Sequence, residues 1–361
     1  MNETVLMMAG GTGGHVFPAL AVADALRARG YDIAWLGAQG GIENRLVPAA
    51  GYPLHALTVQ GVRGGGLVRK LRAPFLLLGA VLAARRVLRG TSARLAVGFG
   101  GFASGPGGLA ARLSGVPLVV HEQNAIPGLT NRVLSRVATR SLEGFDGALS
   151  GRAQAVGNPV REAIVALPAP AQRYGERDGA LRILVLGGSQ GALALNRRLP
   201  AALAGVLQAQ PAVIRHQAGR GRREEAASAY EAVALEAAVE EFIDDMAAAY
   251  AWADLIICRA GALTVAEVAA AGVAALFVPL PTAVDDHQRH NAEWLSRQSA
   301  GLVLKESGLN AATLAEHLRP VMAEGLISRP ALMAMAERAR ALSHGDSASR
   351  VAEICEEVLR G

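Results

Sequence analysis

Gly10-Gly11-Thr12-Gly13-Gly14-His15 follows the apolar run Val5-Leu6-Met7-Met8-Ala9, and Gly187-Gly188-Ser189-Gln190-Gly191 follows Ile183-Leu184-Val185-Leu186. Each segment reads as strand, glycine turn and helix, a layout that aims backbone N–H groups and a helix N-terminus at an anion. Thr12 and Ser189 add hydroxyls at corresponding places in the two halves. The chain therefore reads as two similar α/β units in tandem, facing a cleft for a phosphate-bearing substrate.

A glycine loop after a strand most often serves a dinucleotide, and that use needs a carboxylate at the end of the second strand to hold a ribose. Here that strand ends Trp35-Leu36-Gly37-Ala38-Gln39, with no acid before Glu43, which weakens the NAD reading without excluding it. In the second half, Arg259-Ala260-Gly261-Ala262-Leu263-Thr264-Val265-Ala266-Glu267 follows the strand-like Leu255-Ile256-Ile257-Cys258. Gly261 and Ala262 let backbone approach a ligand, and the helix starting there points its positive end at phosphate. Glu267 can accept two hydrogen bonds from a ribose diol, or merely compensate the helix dipole. Gln288 and Asn291 stand where sugar-hydroxyl readers belong, although a plain polar helix start would use the same residues. Asp244-Asp245 and Asp285-Asp286 lack the spacing and partners of a metal cage, so both read as solvated or capping, and no metal is expected.

These groups need elements to hold them. A helix is predicted over about 17–29, with Pro18 in its first turn, Val16, Leu20, Ala23 and Leu26 at helical spacing, and Gly30 as C-terminal cap. Strands are predicted over 33–36, 94–97 and 118–121, with a helix over 107–113. Gly157 and Pro159 punctuate the end of the first half, and a Pro/Ala-rich stretch over 167–171 lies at the connection. The second unit begins at Leu181, with strands over 183–186, 213–216, 255–258 and 274–278 and a helical tail from Asn310. The fold class is α/β, two doubly wound parallel sheets that carry ligands at the C-terminal ends of their strands.

A length of 361 residues suits two domains, and 51% hydrophobic with 19% charged residues is ordinary for a globular α/β protein. Cys258 and Cys355 form no disulfide framework, which suits a reducing compartment, and no secretory leader is read at the N-terminus. Residues 1–160 carry 16 Lys/Arg against 7 Asp/Glu, so the basic excess lies in the first half. It points to an anionic partner. The 4% aromatic content argues against a base-stacking surface, and nucleic acid is not expected. One stretch, 67–89, has membrane character: Ala73–Ala84, which includes Phe75 and Leu76, is an uncharged, mostly apolar run with Arg69, Lys70 and Arg72 before it and Arg85, Arg86 and Arg89 after it. The run is too short to span a bilayer, and it reads equally as a headgroup-layer helix or as a buried helix with arginines at its ends. The longer run 268–284 is broken by Gly272, Pro279 and Pro281 and reads as core.

The glycine loops, Gly100-Gly101-Phe102-Ala103-Ser104-Gly105-Pro106, His121-Glu122-Gln123-Asn124, Gly157-Asn158-Pro159-Val160-Arg161 and the block 242–267 together resemble one bacterial family. It is that of the UDP-N-acetylglucosamine–N-acetylmuramyl-(pentapeptide) pyrophosphoryl-undecaprenol N-acetylglucosamine transferases. Phe102 stands where that family often has tyrosine, and Ala260 and Ala266 where serine is common. The resemblance implies the GT-B fold, with an acceptor domain over 1–160, a UDP-GlcNAc domain over 161–344 and a last helix, about 345–361, packing back on the first. It also implies inverting transfer of GlcNAc to the muramyl C4 hydroxyl of the polyprenyl-diphosphate acceptor lipid I, giving lipid II, with no cofactor. A peripheral position on the cytoplasmic face of the inner membrane follows from it, as does the company of cell-wall synthesis and division proteins, and it turns the 67–89 stretch toward lipid contact.

In the implied reaction a base takes the hydroxyl proton while dipoles stabilise the departing diphosphate. His15 is the first choice of base, because a positively polarised helix N-terminus disfavours a second positive charge and keeps an imidazole a neutral acceptor. Glu122 is the alternative base, and a purely capping His15 the third possibility. The resemblance further implies that the Ile243 backbone reads uracil and that Glu267 holds the ribose. Ser189, Ala262, Leu263 and Thr264 would meet the phosphates, the Thr12 and Ser189 hydroxyls would help take the diphosphate charge, and Gly13, Gly14, Val265 and Ala266 would complete the UDP-GlcNAc site. Asn124, Gln288 and Asn291 would read the GlcNAc, and Arg161 would close the donor site. Two rivals share the donor: a UDP-GlcNAc 2-epimerase of the same architecture, and a non-catalytic nucleotide-sugar-binding membrane protein.

Overall fold

The computed structural model describes residues 2–58, 67–151, 153–188 and 192–361, with side chains at 67–73 and 284 excepted. The chain forms two compact units, Met1–Arg161 with Asp346–Gly361, and Glu162–Gly345.

The first unit runs β1 (Thr4–Ala9), α1 (Gly13–Ala28), β2 (Asp32–Ala38), α2 (Glu43–Ala49), β3 (Leu54–Leu57) and α3 (Leu67–Gly90). It continues with β4 (Ala93–Gly100), α4 (Ser104–Leu113), β5 (Leu118–Glu122), α5 (Leu129–Leu134), β6 (Arg140–Glu143) and β7 (Gln154–Ala155). Among the described residues its sheet has the order β3-β2-β1-β4-β5-β6-β7, and every pairing is parallel. Helices cover both faces, which is why β1 reads as an unbroken apolar run: Val5 through Ala9 are fully buried. The strand order reverses between β1 and β4, and the crevice beyond the carboxyl ends of those two strands is where an open α/β sheet takes its ligand.

The second unit runs α6 (Glu162–Val165), α7 (Pro170–Gly175), β8 (Leu181–Leu186), α8 (Leu193–Val206), β9 (Ala212–Gln217), α9 (Arg223–Glu231) and β10 (Ala238–Glu240). Then come α10 (Met246–Trp252), β11 (Leu255–Cys258), α11 (Ala262–Ala271), β12 (Ala274–Phe277), α12 (His287–Ser296), β13 (Leu302–Val303), α13 (Ala311–Leu318), the hairpin β14 (Met322–Ala323) and β15 (Leu326–Ile327), and α14 (Arg329–Ala341). The sheet order β10-β9-β8-β11-β12-β13 repeats the first unit's plan, with its reversal between β8 and β11. The final helix, α15 (Ser347–Arg360), belongs to the first unit, where Val351, Ala352 and Cys355 join the core that also holds Val16, Ala19 and Leu26 of α1. Arg29 fastens this packing by donating to the Ser349 carbonyl at 3.4 Å.

Several elements differ from the sequence expectation. The first helix starts at Gly13 rather than near Phe17, because the Thr12 carbonyl already accepts from the His15 and Val16 N–H groups at 3.2 Å each. Pro18 consequently sits in its second turn. The tail after Asn310 is not continuously helical, since the β14–β15 hairpin turns at Glu324 and Gly325, both with φ > 0. The strands β3, β6, β7, β10 and β13 were not predicted; all are at or near sheet edges and two to four residues long.

The second unit is pinned through Asp254 at the foot of β11. Its fully buried carboxylate meets Arg177 of the segment after α7 at 2.6 Å and Arg329 of α14 at 3.0 Å, and accepts from the Arg182 N–H at 3.0 Å. Removing one member of a buried ion cluster strands the others. Asp254→Ala should therefore cost about 3–5 kcal/mol and lower the thermal midpoint by about 6–20 °C. Arg350→Gln, at an exposed pair with Glu353, should cost less than about 1 kcal/mol. Thermal melts of the two variants check both values.

Candidate active site

Three loops at the carboxyl edge of the first sheet, after β1, β4 and β5, carry its chemistry. The first is braced by Glu43, the opening residue of α2, which is fully buried. Its carboxylate accepts from the Gly11 N–H and the Ala38 N–H, both at 2.9 Å. A Cβ at Gly10 or Gly41 would lie 2.2 or 2.1 Å from the carboxylate oxygens, so only glycine leaves room for them. The acid beyond the second strand is thus spent on the loop and does not offer itself to a ribose. The second loop closes on the first: Gly101, at φ +87, has its Cα so near Gly10 that a Cβ would meet the Gly10 carbonyl oxygen at 2.3 Å. The Ser104 hydroxyl links the same strand ends, being 2.7 Å from the Met8 carbonyl and 2.6 Å from that of Gly100.

His15, half-buried in the first turn of α1, sets Nδ1 at 2.9 Å from the Gln123 side-chain oxygen. Glu122 lies nearby in chain but in a different state. Its Oε1 accepts from the Asn124 N–H at 2.8 Å and the Asn124 side-chain amide at 3.3 Å; its Oε2 accepts from the Gly128 N–H at 3.1 Å and Asn131 Nδ2 at 3.0 Å. Four donors saturate a carboxylate's acceptor sites. Glu122, only 1% exposed, is thereby the clamp of the loop that carries Asn124. Asn131 was missed by sequence reasoning; a polar residue inside the amphipathic stretch 129–134 was its only signal. His121 is fully buried, and burial pushes its pKa down to about 4.

In the second unit the corresponding edge gathers the loops after β8, β10, β11 and β12. Ser189 lies outside the described residues; Gly188 before it has φ +77. Gly261 is the N-cap of α11, so the N–H groups of Ala262, Leu263 and Thr264 open the helix without intrahelical acceptors. The Val265 side chain is fully buried, and its N–H is bonded to the Gly261 carbonyl at 3.0 Å. Ala266 follows it, partly exposed. Glu267, the next residue, is 6% exposed and accepts from the Tyr250 hydroxyl of α10 at 3.0 Å. Tyr250 was also missed, its hydroxyl giving no signal within the helical apolar face of α10. Beside Glu267, burial first and that carboxylate second push the Cys258 thiol far up, so it stays protonated.

Ile243 is buried in the loop after β10, one residue before Asp244 and two before Asp245, which caps α10 by accepting from Ala248 N–H at 2.8 Å. Gln288 on α12 accepts from the backbone N–H of Ala260 at 3.2 Å and of Leu280 at 3.0 Å, and Asn291 donates to the Ala260 carbonyl at 3.2 Å. Gln288 therefore ties the loops after β11 and β12 together, and Asn291 holds the first of them to α12. Thr12, Gly13, Gly14, His15, Glu122 and Asn124 thus share one edge of the first unit, and Ile243, Ala262, Leu263, Thr264, Glu267, Gln288 and Asn291 one edge of the second. Arg161 is exposed at the end of the first unit's continuous segment. Among the described residues no group of three His, Cys, Asp or Glu side chains could hold a metal ion.

Of the basic-apolar stretch, Arg69, Lys70 and Arg72 have side chains outside the described residues. The rest of α3 has two faces. Val81, Ala84 and Leu88 are buried against the sheet, while Phe75 is 76% exposed and Leu76, Leu77, Leu78 and Leu82 are exposed with it. Arg86 and Arg89 are exposed, whereas Arg85 is half-buried. No helix among the described residues is long and apolar enough to cross a membrane.

Residues 5–142 match the glycosyltransferase family 28 N-terminal domain and residues 182–351 its C-terminal domain. A relative from Alcanivorax borkumensis, named UDP-N-acetylglucosamine–N-acetylmuramyl-(pentapeptide) pyrophosphoryl-undecaprenol N-acetylglucosamine transferase, is 62% identical over 100% of both chains. One of the same name from Cellvibrio japonicus is 54% identical over 99% of each. The crystal structure of MurG from Acinetobacter baumannii superposes with a TM-score of 0.86 at 43% identity, covering 98% of this chain and 99% of that one. CalG4, the calicheamicin glycosyltransferase, shares the fold at 18% identity and a TM-score of 0.68. The α/β architecture is therefore GT-B, and the chain belongs to glycosyltransferase family 28, among the enzymes named for N-acetylglucosamine transfer to pyrophosphoryl-undecaprenol-linked N-acetylmuramyl-pentapeptide.

Proposed function

We infer that the protein is an inverting glycosyltransferase that moves GlcNAc from UDP-GlcNAc to the muramyl C4 hydroxyl of lipid I, giving lipid II and UDP. End-to-end identity of 62% with the Alcanivorax borkumensis transferase carries this reading. Incubation with UDP-GlcNAc and a lipid I analogue should yield the β-(1→4) disaccharide and UDP. Free epimerised sugar nucleotide, or binding with no product, would overturn it.

In the proposed chemistry the acceptor oxygen attacks C1 of GlcNAc, the C1–O bond to the diphosphate breaks with its electron pair leaving on UDP, and the hydroxyl proton passes to His15. His15 suits the role better than Glu122, whose four hydrogen bonds from Asn124, Gly128 and Asn131 leave no acceptor site for a substrate proton. The orphan N–H groups at the start of α11, with the Thr264 hydroxyl, would stabilise the diphosphate charge. Glu267, steadied by Tyr250, would accept from the ribose hydroxyls.

We further propose that α3 rests on anionic lipid. Its helix starts at the carboxyl edge of the sheet, the edge of the His15 loop, and presents Phe75–Leu78 beside the exposed Arg86 and Arg89. A polyprenyl tail stays in the bilayer, so an enzyme acting on it must bring its site to the surface. Apolar side chains sinking among headgroups, with arginines on lipid phosphate, would do so.

His15→Ala should lower kcat by about 10²–10⁴ and leave UDP affinity almost unchanged. If saturated turnover stays within a few-fold, roughly 1 kcal/mol of barrier, His15 is structural. Glu267→Ala should weaken UDP-GlcNAc binding by roughly ten- to a hundredfold, a loss of about 1.5–3 kcal/mol. Glu267→Gln, still an acceptor for Tyr250, should weaken it less; calorimetric titration reads both. Changing Arg86 and Arg89 together to Gln should weaken binding to phosphatidylglycerol vesicles, since each such cation contributes about 1 kcal/mol near the surface. Use of a water-soluble acceptor should be unaffected, and vesicle binding that survives both the double change and high salt would refute charge docking.

A further inference from the structure

A line of hydrogen bonds runs from the interior of the first unit to His15. The Gly157 carbonyl oxygen is 2.9 Å from His121 Nε2, His121 Nδ1 is 3.2 Å from Gln123 Nε2, and Gln123 Oε1 is 2.9 Å from His15 Nδ1. The direction of every bond follows from its inner end. A carbonyl oxygen only accepts, so His121 carries its hydrogen on Nε2. That ring is fully buried and neutral, with one hydrogen to give, so its Nδ1 must accept. Gln123 therefore turns its NH2 toward His121. An independent contact demands the same orientation: Gln123 Nε2 is 2.9 Å from the His121 backbone carbonyl, which again only accepts. The amide oxygen is left facing His15, and an amide oxygen has no hydrogen to donate.

We propose that Gln123 and His121 are positioning residues that lock His15 in the Nδ1–H tautomer and so keep Nε2 free as the atom that takes the substrate proton. The proposal rests on His15 being the base. Which nitrogen of an imidazole holds the hydrogen is set by the bond the other nitrogen makes, and the Nδ1–H form is the minor one for histidine free in water. An unguided ring would mostly bear its hydrogen on the nitrogen that has to be bare.

The packing holds each member in place. His121 stacks on Phe99 with ring centroids 5.3 Å apart and planes 23° from parallel. Gln123 is 1% exposed, and its backbone carbonyl accepts from Asn158 Nδ2 at 2.9 Å. Asn131 Nδ2, 3.1 Å from the His121 carbonyl, adds a second donor there. The His15 ring lies close over Gly100, where a Cβ would be 3.1 Å from Cε1, so a side chain there would press on the imidazole. Because the line ends on a backbone carbonyl, it orients the imidazole without draining the proton away. After transfer the proton stays on Nε2, and the amide oxygen of Gln123 stabilises the resulting imidazolium through Nδ1–H.

The test is a long-range 1H–15N correlation on the full chain with 15N-labelled histidine, recorded where the rings are neutral; His15→Ala identifies the His15 signals among those of the eight histidines. His15 should show a protonated Nδ1 and a bare Nε2, and the reverse pattern overturns the proposal. In Gln123→Met that signature should be lost and kcat should fall at least about tenfold, within the about 10²–10⁴ expected for losing the base outright. KM for UDP-GlcNAc should stay within about twofold. Gln123→Glu, which still presents an oxygen to Nδ1, should keep the signature. A Gln123→Met enzyme that retains wild-type kcat refutes the lock, and if that variant does not fold, the wild-type spectrum decides alone. The two ideas fail separately. An active His15→Ala removes the base assignment, whereas an inactive His15→Ala with hydrogen on Nε2 in the wild type removes only the lock.

Discussion

The first unit depends on one buried carboxylate being allowed close to backbone. Glu43 reaches under the β1–α1 turn and accepts from Gly11 on one side and Ala38 on the other, tying together the ends of β1 and β2. A buried carboxylate is tolerable only when its oxygens are fully engaged, and here the engagement needs glycine at Gly10 and Gly41. The glycines of the first loop therefore serve two ends: their missing side chains admit the brace from below and leave backbone N–H groups bare above. The position of the α1 N-terminus, and of His15 on it, descends from this contact.

The two units repeat one topology but put it to different uses. At the strand reversal of the first, a buried imidazole and an amide hold the orientation of His15. At that of the second, the opening turn of α11 and the Glu267–Tyr250 pair are suited to holding a charged nucleotide. Each unit also ties its own loops with side-chain amides, Asn131 in the one and Gln288 with Asn291 in the other. Such amides donate to a carbonyl, as Asn131 and Asn291 do, or accept from N–H groups, as Gln288 does, which loops without regular pairing need.

Much of this was legible in the chain. The buried strands announce themselves as apolar runs because both faces of a parallel sheet are covered, and β11 was placed to the residue. The short strands near the sheet edges were not, because two to four residues give no periodicity. The glycine loops disclosed where ligand would lie, but their neighbours' work stayed hidden. Glu43 looked like a loop acid, Asn131 and Tyr250 like ordinary helix residues, and Glu122 like the alternative base, with no sign of its four donors. These roles belong to specific side-chain contacts between residues 2 to 32 positions apart, which periodicity does not encode.

The return of α15 to the first unit bears on how the chain is built. The core beneath α1 is completed by Val351, Ala352, Ile354 and Cys355, all made after the whole of the second unit. On the ribosome the first unit emerges early but with one flank of its α1 bare, so synthesis presents an apolar groove that must wait through the making of 184 intervening residues, Glu162–Gly345. The second unit has no such debt and can close as soon as α14 emerges. The order of completion thus inverts the order of translation, and the waiting groove is where a chaperone would first find purchase.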